Sequence, residues 1–343
     1  MTEWKEYKLG EIGTVITGKT PSARNPEDWG DNMLFITPSD YRNYRKYATN
    51  SERKLSKVGI DRFEKKILPA NSILVTCIGS DMGKVVMNRE LCITNQQINA
   101  IVPNTSVNND FLYYRLISIY DTLRILGGDG TAVPIVNKSD FENIRIELPP
   151  LPEQIRIASI LSSLDDKIDL LHRENKTLEA MAETLFRQWF IEEAKEDWEE
   201  GKLGDILSVK GGTTPSTKEP SFWDGDIAWT SPRDVTTLNG LYLFETEKRI
   251  TQRGLEQISS GLLPSGTLLM SSRAPVGVLA FAEIPLAINQ GYIAILDDKG
   301  YSKEFIYLWL KTNMDLVHSY SNGSTFMEIS KSAFKSLDIS IPS

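Results

Sequence analysis

Apolar or core-compatible side chains fall at Ile157, Leu161, Leu164, Ile168, Leu171, Asn175, Leu178, Ala182, Leu185 and Trp189. The steps alternate between four and three for more than four heptads, which predicts a coiled-coil-type helix. No glycine interrupts the stretch between Gly130 and Gly201. Pro152 suits a first helical turn, and Glu153 favours its positive end. The expected helix runs from 152 to 193, about 42 residues or roughly 60 Å. A stripe this narrow calls for another helix against it. Asn175 reads as a register-setter, because an amide on such a seam seeks a polar partner.

The flanking regions have a different texture. Short runs rich in β-branched residues, bounded by Gly, Pro and Asn, predict strands at 34–37, 72–78, 85–87 and 98–102. Further runs predict strands at 227–230, 267–271, 278–281 and 292–296. Helical patterns follow at 110–125 and at 303–320, the second behind a cap at Ser302. Each flank is therefore expected to be α+β.

The two flanks repeat one another. Residues 8–40 and 202–234 align at a constant offset of 194: Lys8-Leu9-Gly10-Glu11 returns as Lys202-Leu203-Gly204-Asp205, and Thr20-Pro21-Ser22 as Thr214-Pro215-Ser216. Pro26, Trp29, Pro38 and Asp40 return as Pro220, Trp223, Pro232 and Asp234. Asn95-Gln96 and Thr131 return as Asn289-Gln290 and Thr325. This period is too long for a solenoid, so each copy reads as a domain. The predicted division is 1–150, a spacer at 151–197, and 198–343. Polar positions that change identity on the shared frame, Lys19 to Thr213, Ser39 to Arg233 and 80–84 to 273–276, suit the reading of two different ligands.

Net charge is −8, but it is unevenly spread. Residues 1–150 carry 19 basic against 18 acidic side chains, 151–200 carry 6 against 13, and 201–343 carry 13 against 15. Nine bases between 42 and 66 (Arg42, Arg45, Lys46, Arg53, Lys54, Lys57, Arg62, Lys65 and Lys66) form either a phosphate-facing patch or an ordinary solvated face. No run approaches 18 apolar residues, and the opening residues lack an apolar signal region, so no membrane partner is expected. Cys77 and Cys92 read as buried reduced thiols, with the cytoplasm as the natural compartment.

Catalytic signatures are missing. The only Pro-Pro lies in Leu148-Pro149-Pro150-Leu151, unlike the polar loop that holds a flipped base amine for methylation. No phosphate-cradling Gly-x4-Gly-Lys loop occurs, and the glycines at 127–130 open no βαβ unit. His172 and His318 are the only histidines and make no zinc site with two distant cysteines. The expectation is a recogniser with no catalytic residues and no metal.

The tract from Leu148-Pro149-Pro150-Leu151-Pro152-Glu153-Gln154-Ile155-Arg156 to Leu161 closely resembles the start of the conserved helix in type I restriction-modification specificity subunits. Gly18-Lys19-Thr20-Pro21, Ile36-Thr37-Pro38-Ser39-Asp40, Asn95-Gln96 and Gly130-Thr131 are similar to that family's target recognition domain. The resemblance implies an α+β fold with two similar target recognition domains joined by a long coiled-coil-type helix. It implies that double-stranded DNA is read as a split sequence, one half per domain. It also implies methyltransferase subunits that carry S-adenosylmethionine and a restriction subunit that uses ATP and Mg, with no cofactor on this chain.

Copy one runs through Ile146-Glu147-Leu148-Pro149-Pro150 into its helix, whereas copy two reaches Ile339-Ser340-Ile341-Pro342-Ser343 and stops. The second conserved helix of the family pattern does not follow. The seam is therefore expected to pair with a second copy of the chain or with a methyltransferase subunit. A truncated chain serving only as a protein-binding scaffold is the competing expectation. Expected DNA contacts in copy one are Lys19, Thr20, Ser22, Arg42, Arg45, Ser80, Asp81, Lys84 and Thr131. In copy two they are Thr213, Ser216, Lys218, Arg233, Arg273, Ser324 and Thr325. Arg233 and Arg273 are the expected base readers, and Arg42, Arg45 and Lys84 the phosphate holders. Asn95 and Gln96 read as adenine contacts or as a structural amide network.

Overall fold

A computed structural model describes residues 3–126, 135–194, 198–238, 240–296, 299–323 and 327–341. The chain divides into two compact units, Met1–Arg173 and Glu174–Ser343.

In the first unit a five-stranded sheet has the order Gly13–Thr17, Ile98–Pro103, Ile73–Thr76, Val85–Asn88 and Tyr47–Ala48. Its pairings are antiparallel except the last, which is parallel. Ile73, Leu74, Val75, Ala100 and Ile101 lie at most 1% exposed, so this sheet is covered on both faces. That explains its runs of β-branched residues without polar alternation. A second sheet joins Trp29–Gly30, Arg53–Leu55, Met33–Ile36 and Cys92–Thr94. Lys5–Lys8 pairs antiparallel with Arg145–Leu148 and closes the unit.

The second unit repeats this plan. Its five strands are Ser208–Lys210, Tyr292–Leu296, Leu268–Ser271, Leu279–Ala282 and Tyr242–Leu243, in the same spatial order. Trp223–Thr230 lies between Lys248–Ile250 and Leu286–Ile288, and Glu199–Lys202 pairs with Asp338–Ile341. All eight predicted strands are present, most with ends shifted by a residue or so; the one expected at 227–230 begins at Trp223, and the one expected at 72–78 is shortened to Ile73–Thr76.

The predicted helices at 110–125 and 303–320 are each two helices. Asn109–Ser118 ends at Ile119 before Tyr120–Leu126, and Lys303–Thr312 ends at Asn313 before Met314–Ser319. In each case the joint residue leaves helical geometry and the chain turns to bury a new face. Ser302 caps as expected, its side chain accepting from the Phe305 amide. The long helix runs from Leu151 to Arg187 and continues as a π-helical turn, Gln188–Glu192. Cys77 and Cys92 are free and buried. Burial pushes their thiols up to about 11 and about 12, away from the reactive thiolate.

Candidate nucleic-acid interface

Each unit holds its first loop against the turn that leads into a strand of its five-stranded sheet, Ile98–Pro103 in one and Tyr292–Leu296 in the other. The Gly18 amide donates to Ile98, and the Lys19 amide donates to Thr94 O at 2.9 Å. Glycine is required there, because a Cβ on Gly18 would come within 2.2 Å of two carbonyl oxygens, and one on Gly212 within 1.7 Å of Ile288 O. Thr20 Oγ1 donates to Gln96 Oε1 at 2.7 Å, and Thr214 Oγ1 donates to Gln290 Oε1 at 2.7 Å. Thr213 turns inward instead, donating to Gln257 O at 2.7 Å. Lys19, Ser22, Ser216 and Lys218 are exposed.

The repeated Pro-x-Asp motif is a structural clamp. Asp40 Oδ2 accepts from the Thr37 amide at 2.8 Å while Oδ1 accepts from the Glu52 amide at 2.8 Å. Asp234 does the same with Ser231 at 2.9 Å and Glu247 at 2.9 Å. The residue between Pro and Asp is thereby presented on a fixed corner: Ser39 in one unit, Arg233 in the other. The Arg233 side chain is 76% exposed, with Glu247 at 3.7 Å.

The nine bases of 42–66 do not form one patch. Arg62 pairs with fully buried Asp28 at 2.7 Å, Arg53 stacks 3.2 Å over the Trp29 ring, and Lys66 donates to Thr17 O. Lys46 is 3% exposed and bridges Asp110 at 2.7 Å and Ser162 Oγ at 2.8 Å. Burial alone would lower its pKa, but Asp110 and Tyr114 outweigh that and raise it. Arg45 lies 3.6 Å from Asp169 of the long helix, while Arg42 is exposed.

Asp81 and Lys84, both expected DNA contacts, pair with each other at 2.5 Å beside the turn Gly79–Asp81. Lys84 and Arg45 line one cleft of about 280 Å³ with Tyr41, Tyr44 and Tyr120. Ser80 lies in that turn, its side chain outside the described set. In the second unit Arg273, in the corresponding segment, lines a cavity of about 550 Å³ with Pro275, Val276, His318 and Met327. Thr131, Ser324 and Thr325 lie outside the described residues.

The seam residues divide. Ile157, Leu161 and Ala182 are half-buried, whereas Leu164, Ile168, Leu171, Leu178, Leu185 and Trp189 are 40–61% exposed, and Asn175 is exposed too. A second face, not read from the sequence, holds the helix to the units. In the first unit, Gln154 accepts from the Asn108 amide, Ala158 is buried in the core, and Tyr114 donates to Asp165 at 2.5 Å. In the second, Phe186 is buried in the core and Lys311 pairs with Glu183 at 2.7 Å. The spacings 154-158-162-165 and 179-183-186-190 were a usable signal, masked by the stronger apolar stripe.

Among the described residues no cluster of His, Cys, Asp and Glu could hold a metal ion, and no helix is long and apolar enough to cross a membrane. A family profile described as the type I restriction modification DNA specificity domain matches residues 1–180 and 195–343. The type I restriction enzyme MjaIX specificity subunit of Methanocaldococcus jannaschii is 38% identical over 163 residues, covering 47% of this chain and 38% of that protein. The HindI specificity subunit of Haemophilus influenzae is 39% identical over 148 residues, covering 43% and 32%. These matches thus span less than half of either relative. The MjaVIII specificity subunit of M. jannaschii is 23% identical over 333 residues, covering 90% and 74%. A solved S subunit of a type I restriction-modification system from M. genitalium shares the fold, with TM-score 0.56 and 16% identity over 98% of this chain and 84% of that one. With one profile match on each copy, this chain belongs to the type I restriction modification DNA specificity domain family.

Proposed function

We propose that this chain is the DNA-sequence-recognition subunit of a type I restriction-modification complex and performs no catalysis itself. Its domains at 1–150 and 198–343 each read one half of a bipartite duplex site, and the spacer at 151–197, built on the helix from Leu151, joins them. The observation that carries this reading is one fold built twice with different side chains at equivalent exposed corners, above all Ser39 against Arg233. Two copies of one scaffold with unlike tips suit two unlike half-sites. Arg233 and Arg273 read bases, and the remaining contacts are those expected from the sequence, apart from Thr213, which is held inward. Methyltransferase subunits bring S-adenosylmethionine and a restriction subunit brings ATP and Mg, all in the cytoplasm. The exposed seam from Leu164 to Trp189 accepts a second helix, from another copy of this chain or from a methyltransferase subunit.

Co-expression with the methyltransferase, followed by mapping of modified bases, tests the reading. Methylation at a split motif supports it. Complex formation without methylation leaves a protein-binding scaffold. Arg273→Ala changes the base preference in one half of the motif. A loss uniform across sequences, with a shallower salt dependence, assigns that residue to phosphate.

A further inference from the structure

We propose that Gln96 and Gln290 are paired backbone contacts: in each domain the amide of one exposed glutamine donates to a DNA phosphate oxygen and sets the register on the duplex. The inference rests on the DNA reading above and deepens it.

The repeated Asn-Gln pair splits into two roles. Asn95 Oδ1 accepts from the Gln97 amide at 3.1 Å, and Asn289 Oδ1 accepts from the Gly291 amide at 2.8 Å. Each asparagine folds a turn on itself, as Asn does through its own backbone. That turn lifts the following glutamine into solvent, where both Gln96 and Gln290 are exposed. Each is then pinned by the threonine 76 residues before it, at 2.7 Å in both domains.

The chemistry of the pinned amide is restricted. Gln96 Oε1 accepts from Thr20 Oγ1 and also from the Thr20 amide at 3.3 Å. A carbonyl oxygen has two lone pairs, so this one is filled. What Gln96 still offers is an NH2 group, with no partner among the described residues. Bidentate reading of adenine needs the oxygen as an acceptor and is closed to Gln96. Gln290 Oε1 accepts from Thr214 Oγ1 alone among the described residues and joins the proposal through its equivalent place in the second domain. A phosphate oxygen needs only a donor, and such contacts position a protein without carrying sequence information.

The repetition points the same way. A solvent-exposed hydrogen bond adds little to stability, since water replaces it. Yet the threonine, the glutamine, their 2.7 Å bond and the tight glycine before them occur in both domains. Nearby, Lys19 becomes Thr213 and Ser39 becomes Arg233. A contact common to two otherwise different readers fits the part of DNA that does not vary.

The test uses the full chain and a pool of random-sequence duplexes about four helical turns long. Gln96→Ala and Gln290→Ala each weaken binding roughly three- to tenfold, equally across recovered sequences. Melting temperature is unchanged, and so is the salt dependence, because the amide carries no charge. Gln96→Glu loses more, through repulsion. Thr20→Val shows part of the Gln96→Ala loss, and Thr20→Ser restores binding. Ethylation interference shows one phosphate contact missing per variant, in different half-sites. Variants that bind like the wild type overturn the proposal, as does a loss confined to sequences changed at one base pair. A wild-type chain that binds no duplex sinks the DNA reading itself, and this inference with it.

Discussion

The Lys46 ammonium lies 2.7 Å from the Asp110 carboxylate with only 3% of the lysine side chain exposed. It also donates to Ser162 of the long helix, so a residue from the basic run secures that helix within its unit. Lys46→Ala is expected to destabilise the first unit by about 2–4 kcal/mol, below the top of the buried-pair range because Asp110 is 37% exposed. Since Asp110 and Tyr114 raise the lysine pKa in the folded state, the contribution is complete below about 10.4, the unfolded value, and is lost as pH rises through the higher folded value. Denaturant midpoints of wild type and variant, compared from neutral to strongly alkaline pH, should differ and then converge only at the alkaline end.

Asp40 and Asp234 each tie two separate backbone amides. Asp234→Ala frees both amides and loosens the corner carrying Arg233. A loss of about 2–3 kcal/mol is expected in urea unfolding of the second unit. Asp234→Asn should retain part of it, since its oxygen still accepts one bond. Equal behaviour of the two variants would exclude the clamp.

The seam predicts an association state. Leu171 and Leu178 are 43% and 61% exposed, so Leu171→Glu and Leu178→Glu cost the isolated helix little. With the methyltransferase absent, light scattering should find more than one chain per particle for the wild type and single chains for the double variant, at unchanged helix content. A monodisperse wild-type monomer rules out self-pairing.

Cys77 and Cys92 should resist alkylation. With thiols held near 11 and 12 rather than 9, the native thiolate population is lower by about a hundredfold or more at neutral pH. Mass spectrometry of iodoacetamide-treated protein should show both free until denaturant is added; ready labelling of native protein contradicts their burial.

Much of the architecture was readable along the chain. The duplicated order of strands, the Ser302 cap and the long helix all rest on local periodicity and turn chemistry, which act over a few residues and so leave a mark in a few residues. The broken helices at Ile119 and Asn313 were not readable, because the helical pattern continues across both joints and only packing bends them. The candidate contacts were less legible still. Charge alone grouped Lys46 and Arg62 with Arg42, yet the first two meet Asp110 and Asp28 and the third faces solvent.

By itself, the sequence determined that one fold is written twice and that a continuous helix lies between the copies, since repetition and a four-three rhythm are properties of order along the chain. Tertiary structure decided which polar groups are committed and which are presented. Whether a lysine grips a buried acid or a glutamine has its oxygen filled by a threonine 76 residues away depends on neighbours that only folding brings within hydrogen-bond reach.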